Sequence, residues 1–286
     1  MQMERDRASG AAPFPRDTPD WRRMQQRSPK LFRSAELLAE FRRELWHHLP
    51  HMWRRVEVEV SSDPTIEELV VRDATDEQLM TDWSILVGDA VHNARSALDH
   101  AVWRLVEASG ETPDRYTQFP TAATRSGLKT GSLRGVHPYV REAVYALEPW
   151  EGGAGHWLWV LTQLDNIDKH RLLLRMSPSS NTLILVRRSD TEEWGEESVG
   201  TEGHNDGDVL RSAPVGTMRR SQTTGTVEFV ELPGDTWDGK AIQGWSLPAE
   251  ITLERCFVAA GDALNAMSRA MRRALEEQEG GIDPTT

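Results

Sequence analysis

Residues 89–103 read DAVHNARSALDHAVW and lie within the longest helical pattern of the chain, which spans residues 76–107. Apolar side chains recur there at helical spacing, and small residues on the same side allow a neighbouring helix to approach closely. These small residues are Ala90, Ala94, Ala97 and Ala101. We expect one continuous helix that is buried along its alanine side and ends before Gly110.

The opposite half of this helix is polar. Its members are Asp89, His92, Asn93, Arg95, Ser96, Asp99 and His100. Because each helical residue advances by ~100°, all seven share one half of the surface. Solvated helix faces usually carry Lys and Glu, and this face has neither. Arg95 and Asp99 alone would form an ordinary surface ion pair, but the whole set favours hydrogen bonding to a partner.

A second helix with a similarly restricted set of polar residues follows a glycine turn, in the segment EGGAGHWLWVLTQLDNIDKHRLLL at residues 151–174. Asp165 and Lys169 are four residues apart, as are Asn166 and His170. The alternative interpretation is structural: the basic residues at the end of this helix complement the helix dipole.

The two polar faces are most simply explained if they meet. We expect the face of Asn93, Ser96 and His100 to approach that of Asn166 and His170, within one subunit or across a dimer.

The remaining pattern predicts an α+β fold, mainly a helical bundle. A helix over residues 35–49 follows Ser34 as its N-cap, and a β-hairpin is expected at 53–72. Further segments are a helix at 138–147, a β-rich insertion at 177–250 and a final helix at 253–278. The predicted organisation is a poorly ordered arm (1–30), a single domain (31–280) and a tail (281–286), with the helical core at 31–176 and 251–280.

Composition narrows the class of protein. The chain has 286 residues, of which 38% are hydrophobic and 27% charged, and no apolar run reaches the ~20 residues that a membrane span needs. We therefore expect a cytoplasmic protein without a membrane partner.

The net charge is -12, and residues 190–208 hold eight acidic residues without Lys or Arg. This glycine-containing stretch is typical of a mobile solvated loop, and an electrostatic mimic or gate is the alternative.

The two motifs carry a resemblance. The pattern N-x-R-S-A-L-D-H at 93–100 and D-N-I-D-K-H-R at 165–171 resemble the signature stretches of a family of uncharacterised bacterial proteins. Arg95-x4-His100 on a long helix resembles the R-x4-6-H motif of the HEPN superfamily, which includes metal-independent ribonucleases of toxin and antiphage systems. The resemblance implies an RNA-cleaving or RNA-binding protein of a defence or toxin–antitoxin system, with RNA or a cognate protein as partner and no cofactor.

The resemblance also implies roles for individual residues. His100 would move protons and Arg95 would stabilise charge on the phosphate. The supporting or substrate-contacting residues would be Asn93, Ser96, Asp99, Asn166, Asp168, Lys169, His170 and Arg171. Arg95 and His100 are ~140° apart around one helix, so a homodimer would pair the sites.

Two further hypotheses stay open. In the first, the protein is a non-enzymatic binding protein, and both motifs lock helices together through buried hydrogen bonds. Eleven tryptophans supply apolar area for such packing. In the second, the motif residues form a metal site. Its ligands would be His92, His100 and His170 with Asp89 or Asp165. Exposure distinguishes these hypotheses. The motif residues of a structural lock should be buried and paired, whereas those of a functional site should open on a cleft.

Overall fold

The computed structural model describes residues 28–48, 55–171, 174, 176–187, 193–201, 204–229, 236–237, 240–241 and 248–280. The predicted α+β class is confirmed, because this part of the chain forms five α-helices and two three-stranded antiparallel sheets. The helices are α1 (Pro29–His48), α2 (Glu77–Ala108), α3 (Pro138–Ala146), α4 (His156–Arg171) and α5 (Ala249–Gly280). The strands are β1 (Arg55–Val60), β2 (Ile66–Arg72), β3 (Met176–Arg187), β4 (Trp194–Gly200), β5 (Val209–Pro214), β6 (Met218–Phe229), β7 (Thr236–Trp237) and β8 (Lys240–Ala241).

The chain divides into two compact units. A helical unit contains the described residues of 28–41, 85–174 and 251–280. A β-rich unit contains those of 42–84 and 175–250, so the hairpin belongs with the predicted insertion. The single domain predicted for residues 31–280 stays a prediction.

Helix α2 is continuous, as its apolar periodicity predicts. Asp76 caps its start, since the carboxylate accepts hydrogen bonds from the backbone N–H groups of Gln78 and Leu79. Gly110 ends it in a left-handed conformation (φ 80°) that glycine adopts without strain. The predicted alanine side is buried along most of its length: Ala90, Ala94 and Ala97 are at most 3% exposed, whereas Ala101 is half-buried.

The β-rich unit contains the two three-stranded sheets, ordered β1-β2-β5 and β4-β3-β6. The predicted hairpin is confirmed, with Val56 opposite Val71. Strand β5 joins it from far along the chain and places Pro214 opposite Ile66. Four buried residues form the shared core of both sheets: Val56, Leu69, Ile184 and Met218. Burial of their apolar side chains holds the sheets together.

The turn between β5 and β6 is held by a buried acidic side chain. Glu67 is 5% exposed, and its carboxylate accepts hydrogen bonds from the backbone N–H groups of Gly216, Thr217 and Met218. A buried carboxylate needs such donors because it has left water. The hairpin strand β2 therefore fixes the connection between two strands of the insertion.

Two sequence predictions about local structure are wrong. Helix α1 begins at Pro29 rather than after Ser34: the backbone N–H of Leu31 bonds to the Ser28 hydroxyl, and Ser34 is buried within the helix. The last two residues of the arm predicted for residues 1–30 therefore belong to α1. Residues 1–27 lie outside the described part.

The acidic segment predicted to be a mobile loop is partly a strand. Residues Trp194–Gly200 form β4, which pairs along its length with β3. Its acidic side chains point to solvent from an edge strand, so the apolar alternation that identifies a half-buried strand is missing. Residues 190–192 and 202–203 of that loop lie outside the described part, as does the predicted tail at 281–286. Among the described helices, none is long and apolar enough to cross a membrane.

Candidate functional site

Arg95 and Asp99 of α2 hold the segment that follows this helix. Arg95 Nη2 donates a hydrogen bond of 2.7 Å to the carbonyl of Phe119, and Asp99 Oδ1 accepts one of 2.9 Å from its backbone N–H. The two side chains also form an ion pair of 2.9 Å with each other. The Phe119 ring is 1% exposed, and the guanidinium lies 6.0 Å from its centre. We call this group the Arg95 clamp.

The Arg95 clamp is internal to the fold. Arg95 is only 5% exposed, and burial lowers the pKa of its guanidinium, although Asp99 and Asp165 act in the opposite direction. Burial likewise raises the pKa of Asp99, against the effect of Arg95 and of its hydrogen bond with Phe119. Within the described residues, Arg95 Nη1 is buried without a hydrogen-bond partner. The guanidinium is thus buried, and its contacts are with the Phe119 backbone and Asp99 of the same chain.

A second group joins α2 to α4 through one buried carboxylate. Asp165 is 2% exposed, and its two oxygens have different partners. Oδ1 lies 3.0 Å from His92 Nδ1, and Oδ2 lies 2.6 Å from Lys169 Nζ. The other ring nitrogen of His92, Nε2, lies 3.4 Å from the hydroxyl of Ser96. We call these four residues the His92 relay.

The His92 relay reaches solvent, unlike the Arg95 clamp. The side chains of His92 and Lys169 are each 43% exposed, whereas that of Asp165 is 3% exposed. A carboxylate on Nδ1 fixes the ring orientation and leaves Nε2 as the proton acceptor. The arrangement therefore presents an oriented imidazole beside an ammonium group at the molecular surface.

Gly88 and Asp168 mark a close approach of α2 and α4. A Cβ atom at Gly88 would lie 2.3 Å from Asp168 Oδ1, so a side chain at this position would require the Asp168 carboxylate to move. Burial raises the pKa of Asp168, and repulsion from Asp165 and Asp89 raises it further. His92 and Lys169 partly oppose this shift. The helices thus meet where two further carboxylates, those of Asp89 and Asp168, lie near the His92 relay.

The other predicted site residues are distributed around these groups. Asn93 is half-buried and donates a hydrogen bond to the backbone carbonyl of Asp89. Asn166 is half-buried on α4. The side chains of His170 and Arg171, at the end of α4, lie outside the described part of the chain.

His100 lies apart from the His92 relay. It is exposed and lines a shallow pocket together with Lys30 and Arg104. The predicted meeting of the two motif helices therefore takes place through His92 and Asp165, with Ser96 beside them and His100 elsewhere. The part of that prediction that involves His170 stays a prediction.

His92 was predicted to lie on the polar face and Asp165 to pair with Lys169, but both were named as site residues only in the metal hypothesis. A local signal was present: His92 precedes Ser96 by four residues, and Asp165 precedes Lys169 by four. The contact between the two pairs spans 73 residues and has no local signal.

The metal hypothesis gains little from the geometry. His92 and Asp165 do meet, but His100 does not join them, and in the described ranges no group of three or more His, Cys, Asp or Glu side chains is placed to hold a metal ion. The side chain of its third histidine, His170, lies outside the described part of the chain. Cys256 is buried, and burial raises the pKa of its thiol, which disfavours the reactive thiolate.

Comparison with known proteins gives no further guidance, since no family model, curated protein or solved structure matches the chain.

Proposed function

We propose that this protein cleaves RNA by acid–base chemistry that needs no metal ion, with His92 as the proton acceptor. One observation carries the proposal: a buried Asp165 orients His92 through Nδ1 and holds Lys169 with its other oxygen, while both partners reach solvent. A general base must be oriented and accessible, and phosphoryl chemistry also requires a cation nearby. The His92 relay supplies all three conditions.

The proposed reaction follows from the contacts of His92. The Ser96 hydroxyl oxygen lies 3.4 Å from His92 Nε2, and a ribose 2'-hydroxyl takes its place in the reaction. Nε2 accepts the hydroxyl proton, and the 2'-oxygen attacks the adjacent phosphorus. The 5'-oxygen leaves with a proton from water, which produces a 2',3'-cyclic phosphate, and the imidazolium later returns its proton to solvent.

The neighbours of His92 have supporting roles in this reaction. The Asp165 carboxylate stabilises the imidazolium, and the Lys169 ammonium stabilises negative charge on the phosphorane. Such base catalysis typically contributes ~10²- to 10⁴-fold in rate. Arg95, which the resemblance makes catalytic, is a positioning residue here because its guanidinium binds Phe119 and Asp99.

The cellular setting is part of the same proposal. RNA as the substrate, a defence or toxin–antitoxin role and a homodimer come from the HEPN resemblance, and the cytoplasmic location comes from the composition of the chain.

The experiment is incubation of the purified full chain with a defined RNA in excess EDTA. We expect cleavage that yields 2',3'-cyclic phosphate ends and falls ~10²-fold or more in His92→Ala. Asp165→Asn, which keeps the side-chain shape, should lose activity without losing its circular dichroism spectrum. His204→Ala is the matched control, because His204 is an exposed histidine of the β-rich unit.

Three results would contradict the proposal. Wild-type protein without cleavage, equal losses in His92→Ala and His204→Ala, or activity that appears only with added metal would each exclude this mechanism.

A non-enzymatic interaction protein is the second candidate, and the Arg95 clamp favours it. The clamp is buried and ties α2 to the Phe119 segment, as a structural lock would. If both motifs serve only as locks, the wild-type protein should not cleave RNA, and His92→Ala should lower the melting temperature. Normal melting with lost cleavage would favour the enzyme.

A further inference from the structure

We propose that Lys30, His100 and Arg104 form a phosphate-binding subsite that seats a flanking phosphate of the RNA. The pocket lies between the start of α1 and the α2 surface, with Ala97, Ala101 and Leu264 as its apolar wall. Each of the three polar side chains carries hydrogen-bond donors, and Arg104 can bind a phosphate bidentately. The inference rests on the proposed function for the identification of the ligand as RNA. The expectation that the pocket binds a phosphate group does not depend on that function.

The charge of the pocket is the main argument. Lys30 and Arg104 have no carboxylate partner within the described residues, although the whole chain has a net charge of -12. By contrast, Arg95 and Lys169 are paired with Asp99 and Asp165. Unpaired cations that converge on one depression create a local positive potential, which attracts anions.

The position of the pocket relates it to the His92 relay. His92, Ser96, His100 and Arg104 follow one another at four-residue spacing, so successive side chains turn by ~40° around α2 as they advance along it. His92 and His100 are two helical turns apart, about 12 Å along the helix axis at ~1.5 Å per residue. A phosphate in the pocket would therefore lie on the same strand as the scissile phosphate, more than one nucleotide away from it. Binding there would align the strand along α2 with the relay.

The small size of the subsite determines what it recognises. Lys30, His100 and Arg104 supply donors for the oxygens of one phosphate, and of the other lining residues only Ser28 carries a side-chain hydrogen-bonding group. Phosphate contacts position a nucleic acid without reading its sequence. We therefore expect this subsite to increase affinity for any RNA sequence and to make binding sensitive to salt.

The first test uses inorganic phosphate and the 286-residue chain. The imidazole signals of His100 are followed by NMR during a phosphate titration in wild type, in Lys30→Gln/Arg104→Gln and in Lys129→Gln/Arg141→Gln. The last variant is a matched control, since Lys129 and Arg141 are exposed and the change in net charge is identical. We expect saturable shifts in wild type and in the control, and their loss in the pocket variant.

The second test measures RNA cleavage by the same three proteins. The pocket variant should raise KM ~10-fold or more with kcat unchanged, because a flanking contact contributes equally to the ground and transition states. The salt dependence of RNA binding should also fall by about one phosphate contact, or ~0.7 to 0.9 in the log–log slope.

The two tests separate the subsite from the proposed function. Saturable phosphate binding that the pocket variant abolishes, in a protein that cleaves no RNA, supports the subsite and overturns the ribonuclease. Equal titrations in the pocket variant and the control overturn the subsite, whether or not RNA is cleaved. Cleavage with an unchanged KM in the pocket variant also overturns it.

Discussion

Gly88 of α2 lies against the Asp168 carboxylate of α4, and its replacement by alanine tests this contact. A Cβ atom at Gly88 would lie 2.3 Å from Asp168 Oδ1 and 2.8 Å from its Cγ, far inside ordinary contact distance. The perturbation is Gly88→Ala, made in wild type and in Asp168→Ala. If the contact is real, the effect of the added methyl group depends on residue 168.

Two opposing effects determine the magnitude. Alanine is about 0.8–1 kcal/mol more favourable than glycine in a helix interior, and Gly88 lies well inside α2. Inserting a methyl group into a packed contact costs about 1–3 kcal/mol. In wild type, Gly88→Ala should therefore destabilise by up to about 2 kcal/mol, whereas in Asp168→Ala it should stabilise by about 1 kcal/mol. The coupling energy between the sites is then about 1–3 kcal/mol.

The assay is urea unfolding of the four proteins of this cycle, followed by circular dichroism. Gly261→Ala provides the control, because Gly261 lies inside α5 and a Cβ atom there would meet nothing within 4 Å. It should stabilise the protein equally in both backgrounds. A Gly88→Ala effect of the same sign and size in both backgrounds would refute the close approach.

Three further predictions concern the motif residues. Arg95→Ala should cost about 3–5 kcal/mol in urea unfolding, since Asp99 loses a largely buried partner; a cost under about 1 kcal/mol, as for exposed ion pairs, would contradict the clamp. Asp168→Asn should raise the melting temperature at neutral pH, because burial and repulsion from nearby carboxylates raise the pKa of Asp168 and its ionised form is disfavoured in the fold. This gain is complete above the folded pKa and disappears as pH falls below the unfolded pKa, so a gain that is constant across melting curves at different pH would contradict it. Ser96→Ala should retain RNA cleavage within about tenfold, because the substrate hydroxyl replaces Ser96 at His92; a loss above ~10³-fold would instead make Ser96 a nucleophile.

The elements that the sequence predicted correctly have local signals. The apolar period of α2 and its end before Gly110 both follow from neighbouring residues. The hairpin of β1 and β2 likewise follows from alternation on either side of a turn. Tertiary contacts add stability to these elements without changing their identity.

The features that the sequence did not predict depend on distant partners. Strand β5 pairs with β2 across more than a hundred residues, and no pattern in either strand specifies that register. Arg95 resembled a surface residue because the helix alone does not show that the Phe119 backbone covers it. The same limit applies to the contact between His92 and Asp165.

The polar face of α2 correctly predicted hydrogen bonding to another segment of the chain. It did not by itself show that the segment forms a functional site. Short side chains bond only to groups fixed close to them, so Asp, Ser, Asn and His accumulate where another segment packs against a helix. A buried carboxylate such as Asp165 needs more than one donor, and His92 and Lys169 provide two. Burial alone thus explains why both helices share one set of polar residues. The Arg95 clamp and the His92 relay differ in exposure. Arg95 is 5% exposed, whereas the side chains of His92 and Lys169 are each 43% exposed, so a substrate can reach them.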